Sequence, residues 1–107
     1  MRTHDDRRDL LRERVTHWAA RLRVKPSVVR IQRMTHKWGS CSSGGIVTIA
    51  EDLAREESGF QDFVIAHELL HLRVRNHGKV FDALMTVHVP GWRRYDMFRK
   101  TRVVKGL

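Results

Sequence analysis

Residues 67–71 are His67-Glu68-Leu69-Leu70-His71, and a third histidine follows at His77. In an α-helix, positions four apart differ by about 40° around the axis and about 6 Å along it, so His67 and His71 project from one face. Two imidazoles in that relation can bind a single metal ion. The spacing therefore predicts that a helix carries this stretch of the chain.

Glu68 is predicted to lie beside the metal without binding it, because the next position on a helix is rotated by about 100°. A carboxylate there can take a proton from water that the metal has made more acidic. A catalytic zinc has three protein ligands, and two histidines leave it one short. We expect His77 to be the third, with the helix ending near Arg75 and Asn76 so that the chain folds this imidazole back.

The histidines could also be ordinary structural residues that bind no metal. The chain contains seven histidines in 107 residues, and a histidine on an apolar helix face is often an ordinary core residue. The neighbouring glutamate and the third histidine make that interpretation the weaker one. The full pattern His-Glu-x-x-His-x₅-His favours zinc held by His67, His71 and His77, with Glu68 as general base.

The residues before and around the motif predict a buried helix that begins about two turns upstream. Ser58 and Gln61 have the spacing of a capping box. Apolar residues then recur at helical spacing, and they are Phe60, Phe63, Val64, Leu70 and Val74. Such neighbours would exclude water from the far side of a metal and hold its ligands rigidly.

The first half of the chain predicts one helix and two strands. A scaffold helix is expected from about Asp5 to Arg23, with one apolar stripe. The stripe consists of Leu11, Val15, Trp18 and Leu22. Strands are expected over 28–34 and 46–50, separated by the turn-rich segment 35–43. We expect the strand 46–50 to be an exposed sheet edge that could hold an extended peptide, although ordinary sheet structure is the alternative.

Beyond His77, a helix over 79–87 and a basic helix from Trp92 to about Val103 are predicted. Tyr95 could donate a hydrogen bond to an oxyanion, although packing is the commoner role of such a tyrosine. Cys41 allows two interpretations. It could be a small buried side chain beside Trp38, or its thiolate could occupy an open position on the metal.

Length and composition predict a single domain over residues 1–107. The charged N-terminus has no secretory signal and no apolar run is long enough to cross a bilayer, so we expect a cytoplasmic protein without a membrane partner. Cys41 is the only cysteine, which excludes an internal disulfide and agrees with a reducing compartment.

The net charge of +9 is concentrated at the two ends of the chain. Residues 1–33 carry ten basic and four acidic side chains, or +6, and residues 91–107 carry six and one, or +5. Residues 34–90 carry five and seven, or −2. Basic ends of this kind can attract nucleic acid, but they can also be the solvated faces of terminal helices.

Several further motifs occur in a fixed order with the histidine motif. They are Trp38-Gly39-Ser40-Cys41, the Gly-x-Ile-x-Ile strand, 64–71, Asn76-His77-Gly78, Phe81 and Pro90-Gly91-Trp92. In this order the chain, over roughly residues 20–100, resembles the YgjP-like metallopeptidases, which are relatives of the SprT-like zincin proteases.

The resemblance implies an α+β fold: a small zincin-type domain whose short antiparallel or mixed sheet packs on the active-site helix, flanked by N- and C-terminal helices. It implies that His67, His71 and His77 bind Zn²⁺, that Glu68 is the general base, and that protein or peptide substrates are hydrolysed.

Three other functions remain open. The spacing His-x₃-His-x₅-His also resembles YbeY-like zinc endoribonucleases, although those do not usually place Glu after the first histidine. The SprT-like relatives suggest a peptidase that is recruited to DNA and acts on crosslinked protein, through basic residues such as Arg93, Arg94 and Arg99. A zinc-stabilised binding module is the third, but a structural site would normally have a fourth protein ligand.

Overall fold

The computed structural model describes residues 4–100 and Arg102. Helices flank a short sheet and the motif helix, which confirms the predicted α+β class. The elements are α1 (His4–Leu22), β1 (Val28–Gln32), β2 (Gly39–Cys41), β3 (Ile46–Ala50), a 3-10 helix (Glu51–Arg55), α2 (Ser58–Leu70), α3 (Lys79–His88) and α4 (Arg93–Lys100). The end of the predicted basic helix, Val103, lies outside the described residues.

The predicted apolar stripe fixes α1 against the core. All four of its residues are buried, and they are Leu11, Val15, Trp18 and Leu22. Two polar contacts join α1 to α2, because Asp62 accepts hydrogen bonds from Arg14 Nη1 at 2.6 Å and from Trp18 Nε1 at 2.8 Å. The scaffold role predicted for this helix is therefore confirmed.

The three strands form one mixed sheet in the order β1–β3–β2. β1 runs parallel to β3 and β2 runs antiparallel to it. The prediction that residues 46–50 form an exposed edge is therefore wrong, because β3 is paired on both sides. Its composition fits the central position, since Val47 and Ile49 have no exposed surface and near-continuous apolar runs are typical of strands buried on both faces.

β2 lies within the segment that the sequence predicts as turn-rich loop. Backbone hydrogen bonds of 2.9 Å from Ala50 N to Trp38 O and from Ser42 N to Ile46 O extend its pairing with β3. Three residues without a β-branched side chain are a weak strand signal on their own. Pairing with β3 thus creates a strand that local sequence does not predict.

The N-terminus of α2 differs from the predicted capping box. Ser58 is the first helical residue, Glu57 is the N-cap, and no side chain caps the helix. Gln61 instead turns its amide back to the preceding segment, where Nε2 donates to Glu56 O at 2.8 Å and to Ala54 O at 3.3 Å. The capping-box prediction is wrong, because Gln61 links α2 to the 3-10 helix rather than to its own first turn.

α2 is the central element of the fold. Every residue from Phe63 to Leu70 is buried, and the hydrophobic core draws side chains from all four helices and from the sheet. Packed side chains therefore enclose the last turn of α2.

None of the described helices combines the length and the apolar character that crossing a bilayer requires.

Candidate metal centre

His67 and Glu68 lie in the last turn of α2 and are buried, with exposed fractions of 3% and 6%. His71 is the C-cap of that helix and still has helical φ and ψ angles of −62° and −15°. The helix ends at Leu70, so the prediction that it continues to Arg75 or Asn76 is wrong. Its helical C-cap nevertheless keeps His71 one turn from His67, as the motif spacing requires.

A short turn brings His77 back to His67 and His71. Backbone hydrogen bonds from Arg73 N and Val74 N to Leu70 O, both 2.9 Å, close that turn. The His77 and His71 Nε2 atoms are then 2.8 Å apart, and one ligand atom from each of the three histidines lies within 4.8 Å of the others. The structure thus brings together the three side chains that the sequence predicts as ligands.

The arrangement fits a single zinc ion. Zinc binds imidazole nitrogen at about 2.0–2.1 Å, so two ligands of a tetrahedral ion stand about 3.4 Å apart. Ring nitrogens that already lie within 4.8 Å of one another need only small rotamer adjustments to meet that requirement. Without a metal, the His71 and His77 Nε2 atoms, which are 2.8 Å apart, would have to share one hydrogen bond.

Neighbouring groups orient the imidazoles. His71 Nδ1 donates to the Val74 carbonyl at 3.1 Å, which leaves Nε2 with its lone pair for a metal. Phe81 of α3 is almost fully buried and lies behind all three rings, with centroid distances of 5.3 Å to His67 and 4.8 Å to both His71 and His77. The sequence predicts a helix over 79–87 that contains Phe81, but it does not predict this supporting role.

Burial and neighbouring charge favour the neutral form of two of the imidazoles. The pKa of His71 lies below its usual value because of burial and then because of His67 nearby. The pKa of His77 is lowered by the same two causes, with a further contribution from Arg99. Neutral imidazole is the form that binds a metal, so proton competition at these two residues is weakened near neutral pH.

Glu68 is positioned between the histidines and the sheet. Its Oε2 atom is 3.3 Å from His67 Nδ1. On the other side, β2 lies so close that a Cβ atom on Gly39 would stand 2.8 Å from Glu68 Cγ and 3.1 Å from Thr48 O. Only glycine therefore lets the strand approach the carboxylate this closely.

The two other candidate residues have different positions. Cys41 is half-buried on β2, where burial and then the Glu68 charge raise the pKa of its thiol against the opposing effect of Arg75. The group of potential ligands does not include it. The Tyr95 hydroxyl lies against Gly59, eight residues or about 12 Å before His67 on α2, and accepts a hydrogen bond from Arg94 at 2.8 Å. The structure does not bring Tyr95 to the histidines.

Two solved structures share this fold. The metallopeptidase zymogen jannalysin of Methanocaldococcus jannaschii has a TM-score of 0.71 and 18% identity, over 82% of this chain and 91% of that one. The metallopeptidase zymogen abylysin of Pyrococcus abyssi has a TM-score of 0.71 and 20% identity, over 88% and 98%. Comparison with curated protein sequences gave no significant match.

The family comparison covers nearly the whole chain. Residues 4–97 match the family described as YgjP-like, metallopeptidase domain. Membership of that family implies a divalent metal and a peptidase activity, and the three clustered histidines are suitable ligands for such a metal. The chain belongs to the YgjP-like metallopeptidase family.

Proposed function

We propose that this protein is a zinc-dependent peptidase in which His67, His71 and His77 hold the metal and Glu68 is the general base. The observation that carries the proposal is the cluster of three imidazoles next to a buried carboxylate at the end of α2. Three protein ligands leave a position open for water and substrate, as in a catalytic rather than a structural zinc site.

The chemistry divides between the metal and the chain. A bound zinc ion would act as a Lewis acid toward the scissile carbonyl and make water more acidic. Glu68 accepts the proton of the attacking water at its carboxylate and passes it to the nitrogen of the departing amine. The C–N bond breaks as the C–O bond of the new carboxyl group is completed, so one water molecule is consumed for each peptide bond.

β2 supplies a way to hold an extended peptide. Trp38 O and Ser42 N make backbone hydrogen bonds to β3. In an antiparallel pair, every second residue of a strand bonds to its partner strand. The N–H and C=O groups of Gly39 and Cys41 therefore point away from β3. β3 is the one strand of the described sheet that pairs with β2, which leaves this edge open. A peptide added here would lie directly beside Glu68.

The nucleic-acid alternatives have less support. Arg93 lies on the Trp92 ring and 3.4 Å from Asp82, Arg94 bonds the Tyr95 hydroxyl, and Arg99 pairs with Asp96. Each of the three arginines thus has a partner within the fold, and Arg93 keeps 70% of its side chain exposed. A DNA-recruited peptidase or a YbeY-like ribonuclease would instead need cations directed at phosphates, so both remain alternatives to be tested beside peptide cleavage.

The test is the Glu68→Gln variant, which keeps the shape of the side chain and removes its basicity. We expect one zinc per chain in both proteins, with cleavage of denatured casein lowered by about 10²–10⁴-fold in the variant. Glu13→Gln, a change on the exposed face of α1, is the matched control and should cleave at the wild-type rate.

A labelled single-stranded RNA and a single-stranded DNA added to casein complete the experiment. Cleavage of RNA without cleavage of casein would replace this proposal with the ribonuclease, and salt-sensitive stimulation by DNA would favour the DNA-recruited peptidase. Undiminished casein cleavage by Glu68→Gln would show that Glu68 is not the base.

A further inference from the structure

A cleft of about 900 Å³ opens between α1, the 3-10 helix, the start of α2, α4 and the segment that joins β1 to β2. Four aromatic side chains line it: Trp38, Phe60, Tyr95 and Phe98. We call it the aromatic cleft. Phe60 is its centre, since the Trp38 ring meets it edge-on at 5.3 Å and the Phe98 ring at 6.3 Å. Phe98 is nevertheless 64% exposed, so one wall offers apolar surface to a ligand.

The aromatic cleft adjoins the candidate metal centre. Trp38 directly precedes Gly39, which touches Glu68, so the cleft begins one residue from the open edge of β2. Along α2, Phe60 lies seven residues, or about 10 Å, before His67. An extended peptide advances about 3.3 Å per residue. A peptide on the β2 edge would therefore reach the cleft within three residues of the metal.

We propose that the aromatic cleft binds the part of the substrate that follows the scissile bond, and that it selects a large apolar or aromatic side chain within the first three residues after that bond. This inference rests on the proposed function and names the substrate preference of the same site.

The direction follows from strand pairing. Antiparallel addition is slightly more stable per residue than parallel addition, and it runs a peptide from the Cys41 end of β2 toward the Trp38 end. The C-terminal part of the substrate then enters the aromatic cleft. Cleavage makes the new amine the N-terminus of that part, so the cleft holds the C-terminal product.

The rim of the cleft does not select strongly by charge. It carries five arginines and four carboxylates, and two ion pairs of 2.6 Å, Arg8–Glu51 and Arg102–Asp52, join two residues of each sign. With opposite charges so nearly balanced, the four aromatic side chains are the feature of the cleft that can select a ligand. Burying about 40 Å² of apolar surface there corresponds to about a fivefold gain in affinity.

Arg102 makes the wall of the cleft rigid. Its side chain is 8% exposed, and its guanidinium lies 3.7 Å from the centre of the Trp38 ring. The same group donates to Met34 O at 2.9 Å and to Lys37 O at 3.0 Å. The segment before β2 is thus fixed from its start to Trp38, as a preformed subsite requires.

The first experiment maps cleavage. The zinc-loaded protein digests a random peptide mixture, and mass spectrometry locates the cut bonds. We expect Phe, Tyr, Trp, Leu and Met to be enriched at least about threefold at one of the three positions after the cut. Enrichment confined to positions before the cut, or no enrichment on either side, would overturn the inference.

The second experiment changes the exposed wall. For a preferred peptide, Phe98→Ala should raise KM about fivefold with kcat within about twofold, and it should have no effect when the selected residue is replaced by Ala. Met97→Ala, at the 71% exposed neighbour that does not line the cleft, should leave both constants unchanged. Equal effects of Phe98→Ala on both peptides would contradict selection by the cleft.

A binding measurement separates this inference from the proposed function. Zinc-loaded Glu68→Gln protein is titrated with a ten-residue peptide that has one central Phe, and with its Phe→Ala analogue. The Phe peptide should bind about fivefold more tightly, and the additional Phe98→Ala change should remove that difference. If wild type cleaves nothing, the proposed function fails, while this titration still decides whether the cleft binds an aromatic side chain.

Discussion

At the scale of single residues, the contact between Gly39 and Glu68 links the sheet to the chemistry. A methyl group at position 39 would stand 2.8 Å from Glu68 Cγ, closer than real Cβ contacts. Either the strand or the carboxylate must then move, and a displacement of about 1 Å at a reacting group can lower a rate by about 100-fold.

We therefore predict that Gly39→Ala lowers kcat for casein cleavage by about 10–100-fold while one zinc per chain remains bound. Gly44→Ala is the control, because the nearest atom to its new methyl group would be Ser42 Oγ at 3.8 Å. Kinetics and metal analysis of the two variants decide the question. A Gly39→Ala enzyme within twofold of wild type would mean that Glu68 tolerates the displacement.

Residue-scale chemistry was also the most predictable part of this protein. The trio of histidines could be predicted as a cluster because a helix fixes the relation of His67 to His71, and a six-residue turn is long enough to return His77. The position of Phe81 behind the three rings depends on how α3 packs against α2, and periodicity along one helix does not contain that information.

At the scale of elements, α4 packs on the start of α2 through several aromatic contacts, and Tyr95 makes the tightest approach. The Tyr95 ring lies over Gly59, and a Cβ atom there would overlap the Tyr95 hydroxyl and lie 3.0 Å from Cζ. Alanine is by about 1 kcal/mol the better helix former, so propensity alone would make Gly59→Ala stabilising. Overpacking has the opposite sign and typically costs about 1–3 kcal/mol.

We predict that Gly59→Ala lowers the free energy of unfolding by about 1–2 kcal/mol in denaturant titrations. Much of that loss should disappear in a Tyr95→Phe background, where the overlapping oxygen is absent. Gly44→Ala, where the new methyl group would meet only Ser42 Oγ at 3.8 Å, should be neutral within about 0.5 kcal/mol. An equal cost of Gly59→Ala in both backgrounds would rule out the hydroxyl as the cause.

The sequence predicts the position of single elements better than it predicts how the elements pair. The stripe of α1 has the helical period, so its position and buried face could be predicted within a residue or two. Gln61 bonds to carbonyl groups five and seven residues before it, in the segment that precedes α2. The central place of β3 and the short β2 arise from contacts between strands. Those contacts decide which strand edge is open, and the edge was therefore assigned to the wrong strand.

At the scale of the whole molecule, a metal bound by α2 and by the turn after it couples site occupancy to the stability of the fold. His67 belongs to the core helix, whereas His77 is exposed and precedes α3. A metal that needs ligands from both segments binds only the folded chain, and such binding stabilises the folded state by RT ln(1 + [L]/Kd).

Zinc at about 100 times its Kd should therefore add about 2.7 kcal/mol to the stability of the protein. For a domain of this size each 1 kcal/mol raises Tm by about 4–8 °C, so calorimetry should show an increase of about 10–20 °C over chelator-treated protein. His77→Ala removes one ligand and should lose most of this shift. His36→Ala, an exposed histidine outside the cluster, should keep it. An equal shift in both variants would mean that the stabilising metal binds elsewhere, because only a site that includes His77 can distinguish them.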